Sequence, residues 1–189
     1  MSINFYSVNA KYGCFSNFSN DQVYVKGKTW KTSEHYFQAQ KFAGTKFELE
    51  IAKCKSPMEA AEMGRDRSLP LRKDWESVKN NVMREVLIMK FWQNENCKKE
   101  LLSTGDESLV EHTDKDSYWA DGGNGKGKNM LGQLLMEVRQ VLRDQEKFIK
   151  SLPEKDFDSH QEEDEYAAMS NADKFPIAKY KAKHGLVTY

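Results

Sequence analysis

The sequence lacks an excess of charge of either sign, and this limits the partners that it attracts at a distance. Among its 189 residues there are 29 Lys and Arg and 29 Asp and Glu, so the formal net charge is zero. Such a chain has no long-range attraction for a nucleic-acid backbone or an anionic membrane. The balance disfavours strong binding to duplex DNA, although single-stranded nucleic acid needs only a local basic groove.

Long apolar runs and paired metal ligands are missing as well. No stretch approaches the roughly 20 apolar residues of a membrane span, and the start, MSINFYSVNAKYG, does not resemble a signal peptide. The three cysteines, Cys14, Cys54 and Cys97, are far apart and odd in number, which is typical of reduced thiols. No Cys or His pair has zinc-site spacing. We therefore expect a cytoplasmic protein with no metal, no cofactor and no membrane partner.

The patterns that are present predict a helix-rich chain with few strands. Strands are predicted over residues 3–8, 21–30 and 108–113. Helices are predicted over residues 33–44, 57–64, 74–89, 98–103 and 130–143. Ser33 and Ser56 are the expected N-caps of the first two helices, and Gly64 is expected to end the second.

The composition changes after Asp144, where an acidic run, EKDFDSHQEEDEY, precedes a basic one, KFPIAKYKAKHGLVTY. Such charged segments with few apolar residues are commonly solvated or disordered. The alternative is a segment that docks on the domain or on a partner. The predicted organisation is one domain over residues 1–144 and a charged C-terminal extension over residues 145–189.

A glycine-rich segment, YWADGGNGKGKN, occupies residues 118–129. Gly122, Gly127 and Lys128 match the G-x-x-x-x-G-K of a phosphate-binding loop, but Asn129 stands where that loop needs a hydroxyl to bind magnesium. The segment also lies near the end of the chain and not after a first parallel strand. We therefore reject a nucleotide triphosphatase.

The same segment has two other interpretations. It is either a flexible connector or a ligand-binding loop, in which Gly122 and Gly123 allow close approach to the backbone and a helix N-terminus favours anions. Trp119 beside Asp121 favours the second, because it resembles a base-stacking platform next to a carboxylate.

A second candidate set lies on the helix predicted over residues 33–44. Glu34, Gln38 and Lys41 fall within about 60° of one another on a helical wheel, so they face one way. These three side chains are either solvated or, since Phe37 and Phe42 flank them, partly shielded from solvent. Shielding from solvent would shift the pKa values of Glu34 and Lys41.

Three nearby residues remain open to two interpretations. His35 is either a packing histidine or a participant in chemistry. Arg65 and Arg67, on either side of Asp66, either clamp a phosphate or pair locally at the surface.

Together, these segments resemble the YbiA-like family, also called NADAR. The resemblance covers residues 3 to about 143 and rests on separate motifs in the right order. They are INFYS, GCFSNFS, GKTWKTSEHYFQAQKF, SPMEAAEMGRDRSLPLRKDWESVKNNVMREVL and LVEHTDKDSYWADGGNGKGKNMLGQLLMEVR.

The resemblance implies an α+β, helix-rich single domain with a small β-sheet and the activity of an N-glycosidase. Two substrate types are associated with the family: ADP-ribose on guanine in nucleic acid, and ribosylamino-pyrimidine phosphates of riboflavin biosynthesis. Both join ribose C1′ to an exocyclic amine. A lysine can exchange with that amine to form a Schiff base with the sugar.

The resemblance also implies roles for residues in the matched motifs. Lys41 or its rival Lys28 is the Schiff-base lysine, with Glu34 and Asp121 as the carboxylates. The remaining candidates are expected to contact the substrate, the basic ones at phosphate: Asn17, Trp30, His35, Gln38, Arg65, Trp119, Gly122, Gly123, Lys126 and Lys128. Two alternatives remain, which are direct hydrolysis with one carboxylate as acid and the other activating water, and a non-catalytic ADP-ribose or nucleotide binding module.

Overall fold

The computed structural model describes the backbone of residues 2–151 and the side chains of residues 2–147. Residues Met1–Glu146 form one compact unit. The helices are α1 (Ser33–Gln40), α2 (Lys46–Lys53), α3 (Pro57–Arg65), α4 (Trp75–Gln93), α5 (Glu95–Ser103) and α6 (Met130–Ser151). The strands are β1 (Ser2–Phe5), β2 (Val23–Val25), β3 (Lys28–Trp30) and β4 (Ser108–Glu111). The described residues thus form a helix-rich α+β fold, as expected.

The four strands form two separate pairs and not one small sheet. Strands β2 and β3 form an antiparallel hairpin, in which Val23 faces Trp30 and Gly27 takes the turn with φ of 77°. Strands β1 and β4 pair in parallel, with Ser2 opposite Ser108 and Phe5 opposite Glu111. Because parallel strands end at the same edge, the segments that follow β1 and β4 lie side by side.

Helix α1 is wholly buried although most of its residues are polar. All eight residues are buried, and α1 packs against α2, α3 and α4. Its N-cap is Thr32, whose hydroxyl accepts a hydrogen bond from the His35 backbone N–H at 3.3 Å. The predicted Ser33 cap is therefore wrong, because Ser33 lies inside the helix and its hydroxyl donates to the Asn17 carbonyl. A buried polar helix needs partners for its side chains.

Two other local predictions need correction, and a third is confirmed. Helix α1 ends at Gln40, four residues before the predicted end, and the separate α2 follows without having been predicted. Gly64 does not end α3, which continues to Arg65. The prediction that Ser56 caps α3 is confirmed, since its hydroxyl accepts a hydrogen bond from the Glu59 backbone N–H at 3.1 Å.

The last helix differs in length from the prediction. Helix α6 continues to Ser151, past the expected end at residue 143 and past the boundary predicted at residue 144. The division into a domain and an extension stays a prediction. The acidic and basic runs beyond residue 151 lie outside the described residues.

Helix α4 has nine buried residues, one of which is a lysine. Lys90 is fully buried, and its amine donates to the Ser16 carbonyl at 2.9 Å and to the Ser19 hydroxyl at 2.6 Å. Burial lowers the pKa of Lys90, partly offset by the charge of Asp21. These bonds hold the turn of residues 16–19, which contains Asn17.

Candidate active site

A cavity of about 810 Å³ opens where α1, α3 and the segments after β1 and β4 meet. It contains six of the residues predicted for the site: Asn17, Glu34, Gln38, Lys41, Arg65 and Trp119. They come from four distant parts of the chain, so only the folded structure brings them together. The other lining residues include Tyr6, Ser7, Val8, Phe37, Pro57, Met58, Met83, Glu111, Thr113, Lys115 and Asp116.

The stripe on α1, formed by Glu34, Gln38 and Lys41, is one wall of this cavity. The Gln38 amide donates to the Glu34 carboxylate at 2.7 Å. The Lys41 amine donates to the Gly64 carbonyl at 2.9 Å and lies 5.7 Å from the ring centre of Trp75. Phe37 is buried beside the stripe and lines the cavity, whereas Phe42 packs into the core near Phe47.

Burial shifts the pKa of the acid, Glu34, and the pKa of the amine, Lys41, in opposite directions. It raises the pKa of Glu34, and the hydrogen bond from Gln38 and the charge of Lys41 offset only part of that rise. It also lowers the pKa of Lys41, partly offset by the charge of Glu34, while the charge of Arg65 lowers it further. Both shifts move the pair towards the neutral acid and the neutral amine.

Glu111 is a cavity residue that the sequence did not indicate. It ends β4 and lines the cavity close to Asp116. Burial raises its pKa to about 7, and the charges of Asp116 and Glu34 add to the rise. The signal available was its place in the strand predicted over residues 108–113, close to the carboxyl end of that strand, because parallel strands gather functional side chains at their carboxyl ends.

Asn17 presents an unpartnered acceptor at the cavity. Its amide nitrogen donates to the Met83 sulfur at 3.4 Å, and its backbone carbonyl accepts from the Glu34 N–H at 3.1 Å. Its side-chain oxygen is buried and has no hydrogen-bond partner among the described residues. Such an acceptor suits a donor on a ligand, for example a ribose hydroxyl or an amino group.

Asp121, predicted as a second carboxylate of the site, does not line the cavity. Its carboxylate bonds to the His112 ring at 2.7 Å and accepts from the backbone N–H groups of Thr113 and Gly123. The His112 bond is the largest cause of its lowered pKa. Its own backbone N–H donates to the Glu111 carbonyl at 3.0 Å. The structure therefore places Asp121 as a support for the segment that carries Glu111.

The glycine-rich loop is closed on itself. The backbone N–H groups of residues 127–131 donate to carbonyls of residues 117–121 at 2.7–3.0 Å, so the first two N–H groups of α6, those of Met130 and Leu131, are already paired. Gly122 and Gly123 take left-handed φ of 70° and 73°, as tight turns require. Lys126 and Lys128 are exposed and lie outside the cavity lining, and the Lys128 amine lies 5.0 Å from the Tyr118 ring centre.

Trp119 is the loop residue that reaches the cavity. Its ring packs edge-on against Phe37 at 5.2 Å and against Tyr118 at 5.2 Å. These contacts fix the indole at the cavity wall, where a flat ring can stack on it or border it.

Three other predicted site residues lie elsewhere. The Lys28 amine is half-exposed and pairs with Glu48 at 3.3 Å. Trp30 is buried in the hairpin, and its indole N–H donates to the Val25 carbonyl. His35 is buried, its ring bonds to Thr32 and to the Cys54 carbonyl, and burial lowers its pKa.

The two arginines near the end of α3 separate in space. Arg65 is exposed and lines the cavity, whereas Arg67 does not line it. The Asp66 Oδ1 atom accepts hydrogen bonds from the backbone N–H and the hydroxyl of Ser68, so this oxygen is engaged locally. Arg65 is therefore the basic group from this pair that can reach a ligand in the cavity.

The absence of a side chain at Gly64 allows α3 to approach the Gln38 side chain, which is bonded to Glu34. A Cβ at this position would lie 1.9 Å from the Gln38 side-chain oxygen and 3.0 Å from the Gln38 Cβ. We expect Gly64→Ala to push the Gln38 amide away from Glu34 and to move the carbonyl that holds Lys41. Turnover should fall roughly tenfold or more, the scale of a displaced catalytic group.

The stability of Gly64→Ala should change much less than its activity. Alanine favours a helix over glycine by about 1 kcal/mol, which offsets part of the cost of overpacking. Thermal unfolding and kcat/KM measured on the same preparation separate the two effects. A variant with wild-type turnover would show that the contact has no bearing on the site.

No cluster of three or more His, Cys, Asp and Glu side chains in the described part of the chain has the arrangement of a metal site. Within the same part, none of the helices has the length and apolar character needed to cross a membrane.

Comparison with known proteins agrees with this fold and domain. The sequence matches the NADAR domain over residues 4–143. It is 60% identical over 140 residues to the N-glycosidase YbiA of Escherichia coli strain K12, covering 74% of this chain and 88% of that protein. It is 38% identical over 142 residues to a riboflavin biosynthesis protein of Vibrio vulnificus, covering 75% of this chain and 39% of that protein.

The solved structures include a similar fold. The NMR structure of the E. coli protein YbiA matches with a TM-score of 0.73 and 52% identity, covering 85% of this chain and 93% of that chain. The high identity to a named N-glycosidase supports an enzyme, a hydrolase of N-glycosyl compounds. From these matches, the chain belongs to the NADAR domain family.

Proposed function

We propose that this enzyme cleaves the bond between ribose C1′ and an exocyclic amine of a base. The observation that carries the proposal is the wall on α1, where Glu34 and Lys41 share one cavity and burial favours their neutral forms. A carboxyl group with a raised pKa can deliver a proton, and an amine with a lowered pKa can act as a nucleophile.

The chemistry follows from the linkage. A ribose joined through an N–H amine can open its ring to an imine at C1′, and the neutral Lys41 amine adds to that carbon. Glu34, neutral at first, gives its proton to the ring oxygen O4′ as the ring opens, which leaves a carboxylate and a protonated imine at C1′. The carboxylate then takes a proton from the nitrogen of the added lysine and passes it to the base nitrogen. The bond from C1′ to the base breaks, so the base leaves as its free amine and Lys41 remains bound to C1′ as a Schiff base. Water then hydrolyses the lysine Schiff base and releases the sugar as an aldehyde.

The surroundings favour Lys41 over Lys28 as the Schiff-base lysine. Lys41 is partly buried in the cavity, whereas Lys28 is paired with Glu48 outside it. Glu111 supplies a second carboxyl group whose pKa of about 7 suits the activation of water in the last step. Direct hydrolysis would use Glu34 and Glu111 as acid and base.

The cavity also has groups that suit the rest of a ribosylamine substrate. Arg65 and Lys115 provide positive charge for a phosphate, Asn17 provides an acceptor, and Trp119 provides a flat surface for the base. The substrate is ADP-ribosylated guanine in nucleic acid or a ribosylamino-pyrimidine phosphate. The name of the Vibrio vulnificus relative supports the second. A cytoplasmic location stays a prediction.

Parallel assays on the two substrates test the proposal. The purified protein is incubated with an oligonucleotide carrying ADP-ribosyl-guanine and, separately, with the ribosylamino-pyrimidine phosphate, and base release is followed by mass spectrometry. We expect release from at least one substrate, and the pattern of release identifies the class. If neither substrate is cleaved while ADP-ribose still binds, the chain is a binding module and the proposal fails.

A further inference from the structure

Lys90, the fully buried lysine of α4, makes its hydrogen bonds to one turn of the chain. Its amine donates to the Ser16 carbonyl at 2.9 Å and to the Ser19 hydroxyl at 2.6 Å. That hydroxyl in turn donates to the Ser16 carbonyl at 3.0 Å. An apolar side chain would fill the core at lower cost than a buried amine. The reason for a lysine at this position therefore lies in the turn that it holds.

The turn presents Asn17 to the cavity, and α4 holds this residue at a second point. The Asn17 amide nitrogen donates to the Met83 sulfur at 3.4 Å. Met83 and Lys90 are seven residues apart on α4, so their side chains leave the same face of the helix. Asn17 and Met83 line the cavity, whereas Lys90 does not. The Asn17 amide is thus fixed through its nitrogen, and its buried oxygen has no hydrogen-bond partner among the described residues.

The same turn is joined to the start of α1. The Asn17 carbonyl accepts hydrogen bonds from the Glu34 backbone N–H at 3.1 Å and from the Ser33 hydroxyl at 3.4 Å. A displacement of the turn would therefore change where the Asn17 amide lies relative to the Glu34 carboxyl group. Lys90 acts on this relation from outside the cavity, because the two groups that it bonds flank Asn17 in the chain.

We propose that Lys90 is a positioning residue of the glycosidase reaction. Its amine holds the turn of residues 16–19 in the form that brings the Asn17 side chain to a donor group of the substrate, beside Glu34. The inference rests on the proposed function, because it needs the ribose and the amine of the substrate to lie in this cavity. It adds to that function a residue that does not itself line the cavity. Loss of the Lys90 amine should remove the tie between the turn and α4.

Arg139 on α6 is a matched control, because it has the same structural part away from the cavity. It is 5% exposed, and its guanidinium donates to the Thr104 hydroxyl at 2.8 Å and to the Glu107 carbonyl at 2.9 Å. Like Lys90, it is a buried basic residue that ties a turn to a helix through a hydroxyl and a carbonyl. Neither Arg139 nor its two partners line the cavity. Arg139→Met should therefore lower stability without changing the site.

A double-mutant cycle tests whether Lys90 acts through Asn17. The variants are Lys90→Met, Asn17→Ala, the two together, and Arg139→Met. Base release in single turnover is measured against the concentration of whichever of the two substrates the wild type cleaves. We expect either single change, at Lys90 or at Asn17, to raise the half-maximal concentration about tenfold, the scale of one lost hydrogen bond to a buried group.

The double variant should also show a rise of about tenfold and not of about a hundredfold, because both changes remove the same contact. Arg139→Met should unfold at a lower temperature and keep the wild-type half-maximal concentration. Ser19→Ala is a milder change that serves even if Lys90→Met does not fold. It removes one partner of the Lys90 amine and leaves the charge in place, so we expect a rise of about threefold.

Two results would overturn the positioning role. One is a loss in the double variant equal to the product of the single losses. The other is that Lys90→Met and Ser19→Ala behave as Arg139→Met does, with a lower unfolding temperature and unchanged substrate binding. Failure of the proposed function is seen separately, as a wild type that cleaves neither substrate. In that case NMR signals of the Asn17 side-chain amide, recorded without ligand, still report on the turn, and signals that Lys90→Met leaves unchanged would overturn the inference.

Discussion

Lys41→Met should lower the rate of base release by about a thousandfold or more, the scale on which removal of a covalent nucleophile acts. The structure gives the physical reason, because Lys41 is the amine in the cavity whose pKa burial lowers. Methionine keeps the length of the side chain without its nitrogen, so the Schiff base cannot form. The measurement is the rate of base release in single turnover, with thermal unfolding to confirm the fold.

Borohydride trapping makes this prediction specific to the covalent step. In the wild type, reduction during turnover should leave the sugar attached to the peptide that contains Lys41. Lys41→Arg should form no adduct although it keeps the positive charge, because a guanidinium does not deprotonate in proteins. Lys28→Met is the matched control and should retain both turnover and adduct. An adduct on Lys28, or full turnover without any adduct, would contradict the assignment.

Part of the candidate site was predictable because it depends on a single helix. Residues at i, i+4 and i+7 share a helical face whatever the rest of the fold does, and Glu34, Gln38 and Lys41 line one cavity. The sequence could not show that α1 would be buried on every side. That burial comes from packing against α2, α3 and α4, and it is the main cause of the pKa shifts of Glu34 and Lys41.

The glycine-rich loop shows where composition misleads. Glycines and lysines before a helix indicate a phosphate cradle only if the N–H groups are free. Here the N–H groups of residues 127–131 donate to carbonyls of residues 117–121. These hydrogen bonds depend on the conformation of the loop, which its residue types do not reveal. Glu111 is the opposite case, since its place in the cavity depends on the pairing of β4 with β1 across most of the domain.

Glu34→Gln is expected to reduce turnover by about 10²- to 10⁴-fold, the range typical of general acid–base groups, while substrate still binds. Gln is isosteric and can accept the hydrogen bond from the Gln38 amide, so the wall on α1 should keep its shape. The variant loses the ability to carry a proton between Lys41 and the leaving amine. Single-turnover rates and substrate Kd on the same variant separate chemistry from binding.

Although Glu34→Gln should lower turnover, it should raise the stability of the fold, and only at pH values above the pKa that Glu34 has in the unfolded chain. Burial raises the pKa of Glu34 in the folded protein, so the folded state holds this proton more tightly than the unfolded state. The group therefore destabilises the fold progressively as pH rises above its unfolded pKa and through its folded pKa. Glu34→Gln should unfold at a higher temperature than the wild type at pH 8, with no such gain near pH 4.

A comparison of Glu111→Gln with Glu34→Gln distinguishes the catalytic roles of the two carboxyl groups. The pKa of Glu111 is raised to about 7, so its removal should flatten the change in turnover across pH 6–8 while a slower reaction remains. Glu34→Gln should lose turnover at every pH. If both variants lost turnover equally and no lysine adduct formed in the wild type, the two carboxylates would act as an acid and base pair in direct hydrolysis. The covalent route through Lys41 requires the unequal result, because in that route the proton transfer at the lysine and the activation of water are separate steps.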